Sequence, residues 1–324
     1  MRFAVFGAGG WAGRRHIDAL KVLGHEIVAL VDPGPATAEQ ARAVGAKAVG
    51  SIDELDLASI EAATLALPPA LHPEMTERLA RAGKHVLCEK PMALDSHGAR
   101  RVADFARGAG VVIMPGYMLR CHPLLRAFRE RLAALGRLRR ISITTNTFKT
   151  GIDGWRAEPG SGGVMLINGI HQIDLANWFA GARFRATRAQ LENIHFEMQT
   201  EDFFQASLAE PNGCIGLVQS SWSPFPPHSS DGMMTTPSGR MRIEAEAEGG
   251  AMVLTATGFR IGKEEVVVEG AMGVDPFVEE IGHFVDAIRN GTPLWQTPED
   301  NFNVQHLIEE CRSVAASPMR AAAA

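Results

Sequence analysis

The stretch FAVFGAGGWAGRRH, residues 3–16, decides the fold. It begins with apolar residues suited to a buried strand, turns through Gly7 and Gly9, and runs on as a helix from about Gly10 to Leu23. Gly7, Gly9 and Ala12 hold the GxGxxG/A spacing. Small residues are needed there because a tight turn must bring backbone N–H groups against a pyrophosphate at a helix N-terminus. The motif alone is weak, and its context strengthens it. It forms the first strand-turn-helix of the chain, and the second strand ends in ALVDPG. Asp32 therefore stands where a carboxylate accepts both hydroxyls of an adenosine ribose. A 2'-phosphate beside Asp32 would meet like charge and no arginine follows at once to receive it, so NAD is expected over NADP. The other reading of Asp32, a plain turn residue before Pro33, stays open.

Outward from this stretch, strands alternate with amphipathic helical segments for about the first 120 residues: EIVALVD, ATAEQARAV, AATLALP, a helix near 70–82, KHVLCEK, SHGARRVADFARGAG and VVIMPGY. Such alternation predicts a parallel sheet with helices on both faces. From about Arg120 the pattern changes. A helix at PLLRAFRERLAAL leads to RLRRISITTNTF, a Gly-rich loop, the apolar helix MLINGIHQIDLANW (165–178), and then long strands separated by turns such as EPNG and AEGG. These predict a large, mostly antiparallel sheet. Two helices, PFVEEIGHFVDAIRNG and PEDNFNVQHLIEECRSVAA, close the chain. The expected division is an α/β nucleotide-binding domain over 1–119 and an α+β domain over 120–324. The segment 223–239, rich in Pro, Ser and Gly, reads as a long loop, either a lid or a plain connection.

The 324 residues are 46% hydrophobic and 21% charged with a formal net charge of -5, which excludes a disordered or collagen-like chain and suits a globular protein of two domains. No Lys/Arg block stands out, so neither nucleic acid nor an anionic membrane is an expected partner. The amino terminus enters a strand without a basic and apolar leader, and no apolar run reaches membrane-spanning length, so a cytoplasmic location is expected. Cys88, Cys121, Cys214 and Cys311 stand far apart and read as free thiols. Eleven histidines show no HxxxH or HExxH spacing, so no metal is expected.

HVLCEKP (85–91) places Glu89, Lys90 and Pro91 at the carboxyl end of a strand, where doubly wound sheets bind ligands. A lysine there can hydrogen-bond a substrate oxygen and stabilise the charge that develops on it. In the apolar helix, a wheel at about 100° per residue gathers Asn168, His171 and Gln172 on one arc. Taken alone, that patch favours a core histidine satisfied by Asp174 or a backbone carbonyl. The EKP strand end and the Gly-rich loop before the helix reverse the weighting toward proton transfer.

GAGGWAGRRH, LPPALHPE, AGKHVLCEKPMAL, GWR, GSGGVMLINGIHQIDLANWFAG and FVEEIGHFVDAIRNGTP together resemble the Gfo/Idh/MocA oxidoreductases, the family of glucose-fructose oxidoreductase and inositol dehydrogenase. The resemblance implies a Rossmann domain followed by an α+β domain with an open sheet. It also implies NAD(P) on the first domain, a sugar, cyclitol or sugar derivative between the two, and a homodimer or homotetramer through the open sheet. By it, Lys90 and His171 match the active-site lysine and histidine. Gly7, Gly9, Gly10, Trp11, Ala12 and Asp32 match the dinucleotide site, joined by Glu89 and Lys90. Leu67, Pro68, Pro69 and His72 match the loop bordering the adenosine and nicotinamide ribose. Tyr117 and Arg120 match a stretch that faces the pocket, and Trp155 and Arg156 match a WR pair before the Gly-rich loop. Many relatives carry an aspartate four residues before the histidine. Ile167 stands there instead, with Asn168 the nearest polar residue, so His171 is expected to take its orientation from Asn168 or from a substrate hydroxyl. The activity implied is interconversion of a secondary alcohol and a ketone. Redox-neutral cleavage of a glycosidic bond with retained NAD, and a non-catalytic nucleotide or sugar sensor, are the alternatives on the same scaffold.

Overall fold

The computed structural model of the chain describes residues 1–152, 163–225, 234–236 and 239–315. Two compact units emerge, Met1–His122 with Val274–Phe302, and Pro123–Gly273 with Asn303–Ala324.

In the first unit a parallel sheet is built from β1 (Arg2–Phe6), β2 (Glu26–Val31), β3 (Lys47–Val49), β4 (Ala62–Leu65), β5 (His85–Glu89) and β6 (Ile113–Gly116). The order is β3-β2-β1-β4-β5-β6. Helices α1 (Trp11–Val22), α2 (Thr37–Val44), α3 (His72–Arg81) and α4 (Ser96–Ala106) connect the strands, and the short α5 (Met118–Cys121) follows β6. Strands covered on both faces read as continuous apolar runs rather than as alternations. Accordingly Ala62–Leu65 is buried throughout, and Val86–Glu89 is buried after a half-buried His85. β3 carries no such signal: Lys47 and Ala48 are exposed at the sheet edge, and only pairing with β2 makes the segment a strand. The strand order reverses between β1 and β4, which opens a crevice outside their carboxyl ends.

The second unit begins with α6 (Pro123–Ala134) and β7 (Leu138–Phe148), followed by α7 (Ile170–Ala180). The strands β8 (Arg185–Glu192), β9 (Phe203–Ala209), β10 (Ile215–Ser223), β11 (Met234–Thr236), β12 (Gly239–Ala247), β13 (Gly250–Leu254), β14 (Gly258–Ile261) and β15 (Glu264–Val267) then complete a nine-stranded sheet among the described residues. Its order is β15-β14-β13-β12-β7-β10-β9-β8, with β11 on β12. Every pairing is antiparallel except that of β7 with β10. Along β7, Leu138, Ile141, Ile143 and Thr145 are buried at alternate or near-alternate positions, as expected of a strand with one covered face. α7 packs on β7 and β10. Most of the long loop expected over 223–239 lies outside the described residues, and its described part contains β11.

The chain ends with α8 (Pro276–Asn290) and α9 (Pro298–Val314). Asp275 caps α8 by accepting the Phe277 N–H at 3.0 Å. α8 belongs to the first unit, where it packs on α1, α5 and β5. Among the described residues no helix is long and apolar enough to cross a membrane.

MLINGIHQIDLANW is not one regular helix. Met165–Gly169 forms a π turn, and the α-helix starts at Ile170. A π turn holds one more residue than an α turn, so a wheel at a fixed angle does not carry across it. Two anchors accompany the widening: Glu201 accepts the Met165 N–H at 3.1 Å, and the Trp222 indole N–H reaches Asn168 Oδ1 at 2.7 Å.

Candidate functional site

At the end of β1 the chain makes the turn that the glycines require. Gly7 has φ +76°, and a Cβ there would lie 2.2 Å from the Ala66 carbonyl oxygen, so only glycine fits. The Gly10 N–H donates to the Gly7 carbonyl at 3.1 Å, and Gly10 caps α1 without any side-chain hydrogen bond. α1 therefore starts with its amide end clear of side-chain caps, the arrangement that favours an anion. Ala12 is half-buried. The close approach of helix to strand falls one residue later, where a Cβ on Gly13 would lie 2.2 Å from the Gly7 carbonyl oxygen. Gly13 is a residue the motif spacing did not single out.

Asp32, just beyond β2, accepts the Gly9 N–H at 3.0 Å through Oδ2 and the Gly34 N–H at 2.7 Å through Oδ1. These bonds fix its carboxylate against the glycine turn, and each oxygen retains a further lone pair for a hydroxyl. Cradle, clear helix end and fixed carboxylate fit a dinucleotide: Asp32 would hold a ribose, and the Gly9–Gly10 turn with the start of α1 its pyrophosphate. Leu67 and Pro68 follow the neighbouring strand β4, Leu67 half-buried and Pro68 exposed.

Glu89 closes β5, and half-buried Lys90 follows it. Three elements hold this strand end. His16 on α1 places Nε2 3.2 Å from Glu89 Oε1, the Lys90 backbone N–H donates to Glu89 Oε2 at 3.2 Å, and the His72 Nδ1–H donates to the Pro91 carbonyl at 2.7 Å. Burial alone pushes the Glu89 carboxyl up. The hydrogen bond from His16 and the charges of His16, Lys90 and His72 outweigh that and leave it below the ordinary carboxylate range. His72 is 1% exposed, and burial lowers its pKa from the ordinary imidazole value. It is thus a brace under the EKP turn.

Tyr117 and Arg120 are buried in the same unit. The Tyr117 hydroxyl donates to Asn301 Oδ1 at 3.1 Å, and Arg120 Nη1 donates to the Trp295 carbonyl at 2.8 Å and pairs with Asp300 at 3.4 Å. Asn301 Oδ1 also accepts the Met92 N–H at 3.3 Å, so this network steadies the residues after Lys90. These bonds secure scaffold, and the expectation that both side chains face substrate rests on the resemblance.

In the second unit His171 is 1% exposed on the first turn of α7. Its expected polar neighbours anchor the helix to the sheet: Asn168 through Trp222 on β10, and Gln172 through a 2.8 Å bond from Nε2 to Thr145 Oγ1 on β7. Glu201, which sequence reasoning missed, holds the start of the π turn, and burial raises its pKa. Trp155 and Arg156 lie outside the described residues.

Residues 1–117 match the family described as "Oxidoreductase family, NAD-binding Rossmann fold", and residues 125–253 match the "GFO/IDH/MocA C-terminal domain". The chain belongs to the Gfo/Idh/MocA family. Among curated Gfo/Idh/MocA relatives, D-xylose 1-dehydrogenase (NADP(+)) 2 of Haloferax volcanii is 28% identical over 95% of both chains. Inositol 2-dehydrogenase of Rhizobium meliloti is 30% identical over 56% of this chain and 55% of its own. Among solved structures, levoglucosan dehydrogenase in complex with NADH and levoglucosan superimposes with a TM-score of 0.81 at 19% identity, covering 97% of this chain and 96% of that one. At that identity the likeness shows the shared fold.

Proposed function

We propose that this chain is an NAD-dependent oxidoreductase that interconverts a secondary alcohol and a ketone on a sugar, cyclitol or sugar-derived substrate. One observation carries the reading. Along the carboxyl edge of the parallel sheet, consecutive strands β2, β1, β4 and β5 are followed by Asp32, the Gly7 turn, Leu67 and Lys90. At about 4.8 Å per strand, a carboxylate, a glycine turn, an apolar side chain and a cationic side chain stand in a row, which supports the reading of ribose acceptor, pyrophosphate cradle, apolar wall and cationic donor. Relatives named as sugar and inositol dehydrogenases support the substrate class.

A bound nicotinamide supplies the hydride acceptor. Lys90 directs its ammonium group at the reacting oxygen and stabilises the negative charge that grows there. His171 takes the hydroxyl proton on an imidazole nitrogen and returns it in the reductive direction. Burial of His171 keeps solvent from competing for that proton. Asn168, whose carbonyl is fixed by Trp222, orients the substrate with its amide group. The negative charge of Asp32 disfavours a 2'-phosphate, so NAD is the expected cofactor although one relative is named for NADP(+).

The test is a screen of aldoses, inositols, uronates and nucleotide sugars against NAD and NADP in parallel, read at the reduced-nicotinamide absorbance. Turnover of at least one polyol, with NAD preferred, is expected. Tight NAD binding without reduction by any of them would sink the assignment.

A further inference from the structure

Glu280 on α8 is 0% exposed, and neither of its carboxylate oxygens has a hydrogen-bond partner among the described residues. Its carboxylate lies in a cluster in which one atom each of His16, Glu89 and Glu280 all fall within 4.8 Å of one another. All three residues belong to the first unit and are buried. Two carboxylates this close and this dry repel strongly if both are ionised, so one proton must reside on the pair. Which oxygen carries it follows from the donors. Glu89 has two, the ring of His16 and the Lys90 N–H, whereas Glu280 has none.

We propose that Glu280 is the protonated member of a buried carboxyl pair with Glu89, and that it is a positioning residue. By holding the pair at a single negative charge it keeps Glu89 seated on His16 and leaves that one charge beside Lys90. Burial first, and the charge of Glu89 second, push the Glu280 carboxyl well above its ordinary range, with Lys90 opposing.

The titratable and charged groups around the pair come from α1, β5, α3, α5 and α8. From α1 the titratable neighbour is His16, while Arg15 pairs with Asp275 at 2.8 Å. From the end of β5 come Glu89 and Lys90, with His72 of α3 acting on Glu89. From α5, Arg120 is held by Trp295 and Asp300. On α8 itself, His283 Nε2 accepts the Trp295 N–H at 3.0 Å.

The consequence for Lys90 rests on the role proposed above, whereas the proton on Glu280 does not, so the two are tested separately. Infrared difference spectroscopy of the full chain at neutral pH, with glutamate carrying 13C, reads the acid carbonyl stretch directly. Glu201 is also a candidate for such a band. The expected result is an acid carbonyl band that shifts in D2O, survives in Glu201→Gln and is lost in Glu280→Gln. If Glu280→Gln does not fold, the band remaining in Glu201→Gln decides. No such band, or one divalent metal ion per chain in the purified protein by elemental analysis, overturns the proposal. Once a substrate is known, Glu89→Gln should move the alkaline limb of the rate profile to lower pH by about one unit, because it removes the negative charge beside Lys90. Glu280→Gln should leave that limb in place, and an equal shift in both variants would show Glu280 ionised.

Discussion

His16 Nε2 lies 3.2 Å from Glu89 Oε1 and joins the helix that opens at the glycine turn to the strand that presents Lys90. The bond spans 73 positions of sequence and is buried. It ties α1 to the end of β5. Replacing His16 by Leu leaves Glu89 with only the Lys90 N–H among its present donors. The expected cost is about 1–3 kcal/mol of stability, read as a lower urea midpoint with an unchanged slope.

Gly13 sets how near α1 comes to the turn. In Gly13→Ala the added methyl must displace the Gly7 carbonyl, which its Cβ would approach to 2.2 Å. Overpacking of this kind costs about 1–3 kcal/mol. Titration calorimetry should show NAD affinity falling with it, and unchanged affinity would mean that the turn does not cradle the pyrophosphate.

Asp32→Ala should narrow the preference for NAD over NADP. A hydrogen bond to a charged group contributes about 1.5–3 kcal/mol, so kcat/KM with NAD is expected to fall by about ten- to a hundredfold. The value with NADP should hold or rise. An unaltered ratio of the two cofactors would remove Asp32 from the ribose.

For a confirmed substrate, Lys90→Ala and His171→Ala should each lower kcat by about 10²–10⁴-fold, with circular dichroism unchanged. Wild-type turnover in either variant would strip that residue of its role.

His72 supplies a pH-dependent stability term whose sign is set by burial. Its folded pKa lies below 6.5, so the unfolded chain binds the extra proton first as pH falls. The contribution is complete above pH 6.5 and is lost as pH drops from there toward the folded value, at up to about 1.4 kcal/mol per unit. In His72→Asn, thermal melts between pH 7 and the onset of acid unfolding, near the carboxylate range of roughly 4, should be flatter than in the wild type.

Much of the first unit could be read from local pattern. FAVFGAGG and ALVDPG announce themselves because a buried parallel strand is an unbroken apolar run, and because tight turns admit few residue types. Lys90 was legible for the same reason, standing where such a run stops. Other features depend on contacts distant in sequence and carry no local mark. Gly13 matters through the carbonyl of the Gly7 turn, Glu280 of α8 through Glu89 at the end of β5, and the bonds of Tyr117 and Arg120 through residues 295–301. The π turn at Met165–Gly169 escaped a fixed-angle wheel, and its anchors Glu201 and Trp222 come from the sheet.

The return of residues 274–302 to the first unit bears on how this protein can be taken apart. A fragment cut after His122 would keep every strand of the parallel sheet and the whole glycine turn. It would lose the Phe277 ring against Trp11 and His16, the Asp275 partner of Arg15, and the Asn301 amide that secures Tyr117 and Met92. Swapping the nucleotide-binding half between relatives therefore calls for three junctions, near 122, 274 and 302, if the transplanted half is to arrive with its own lining.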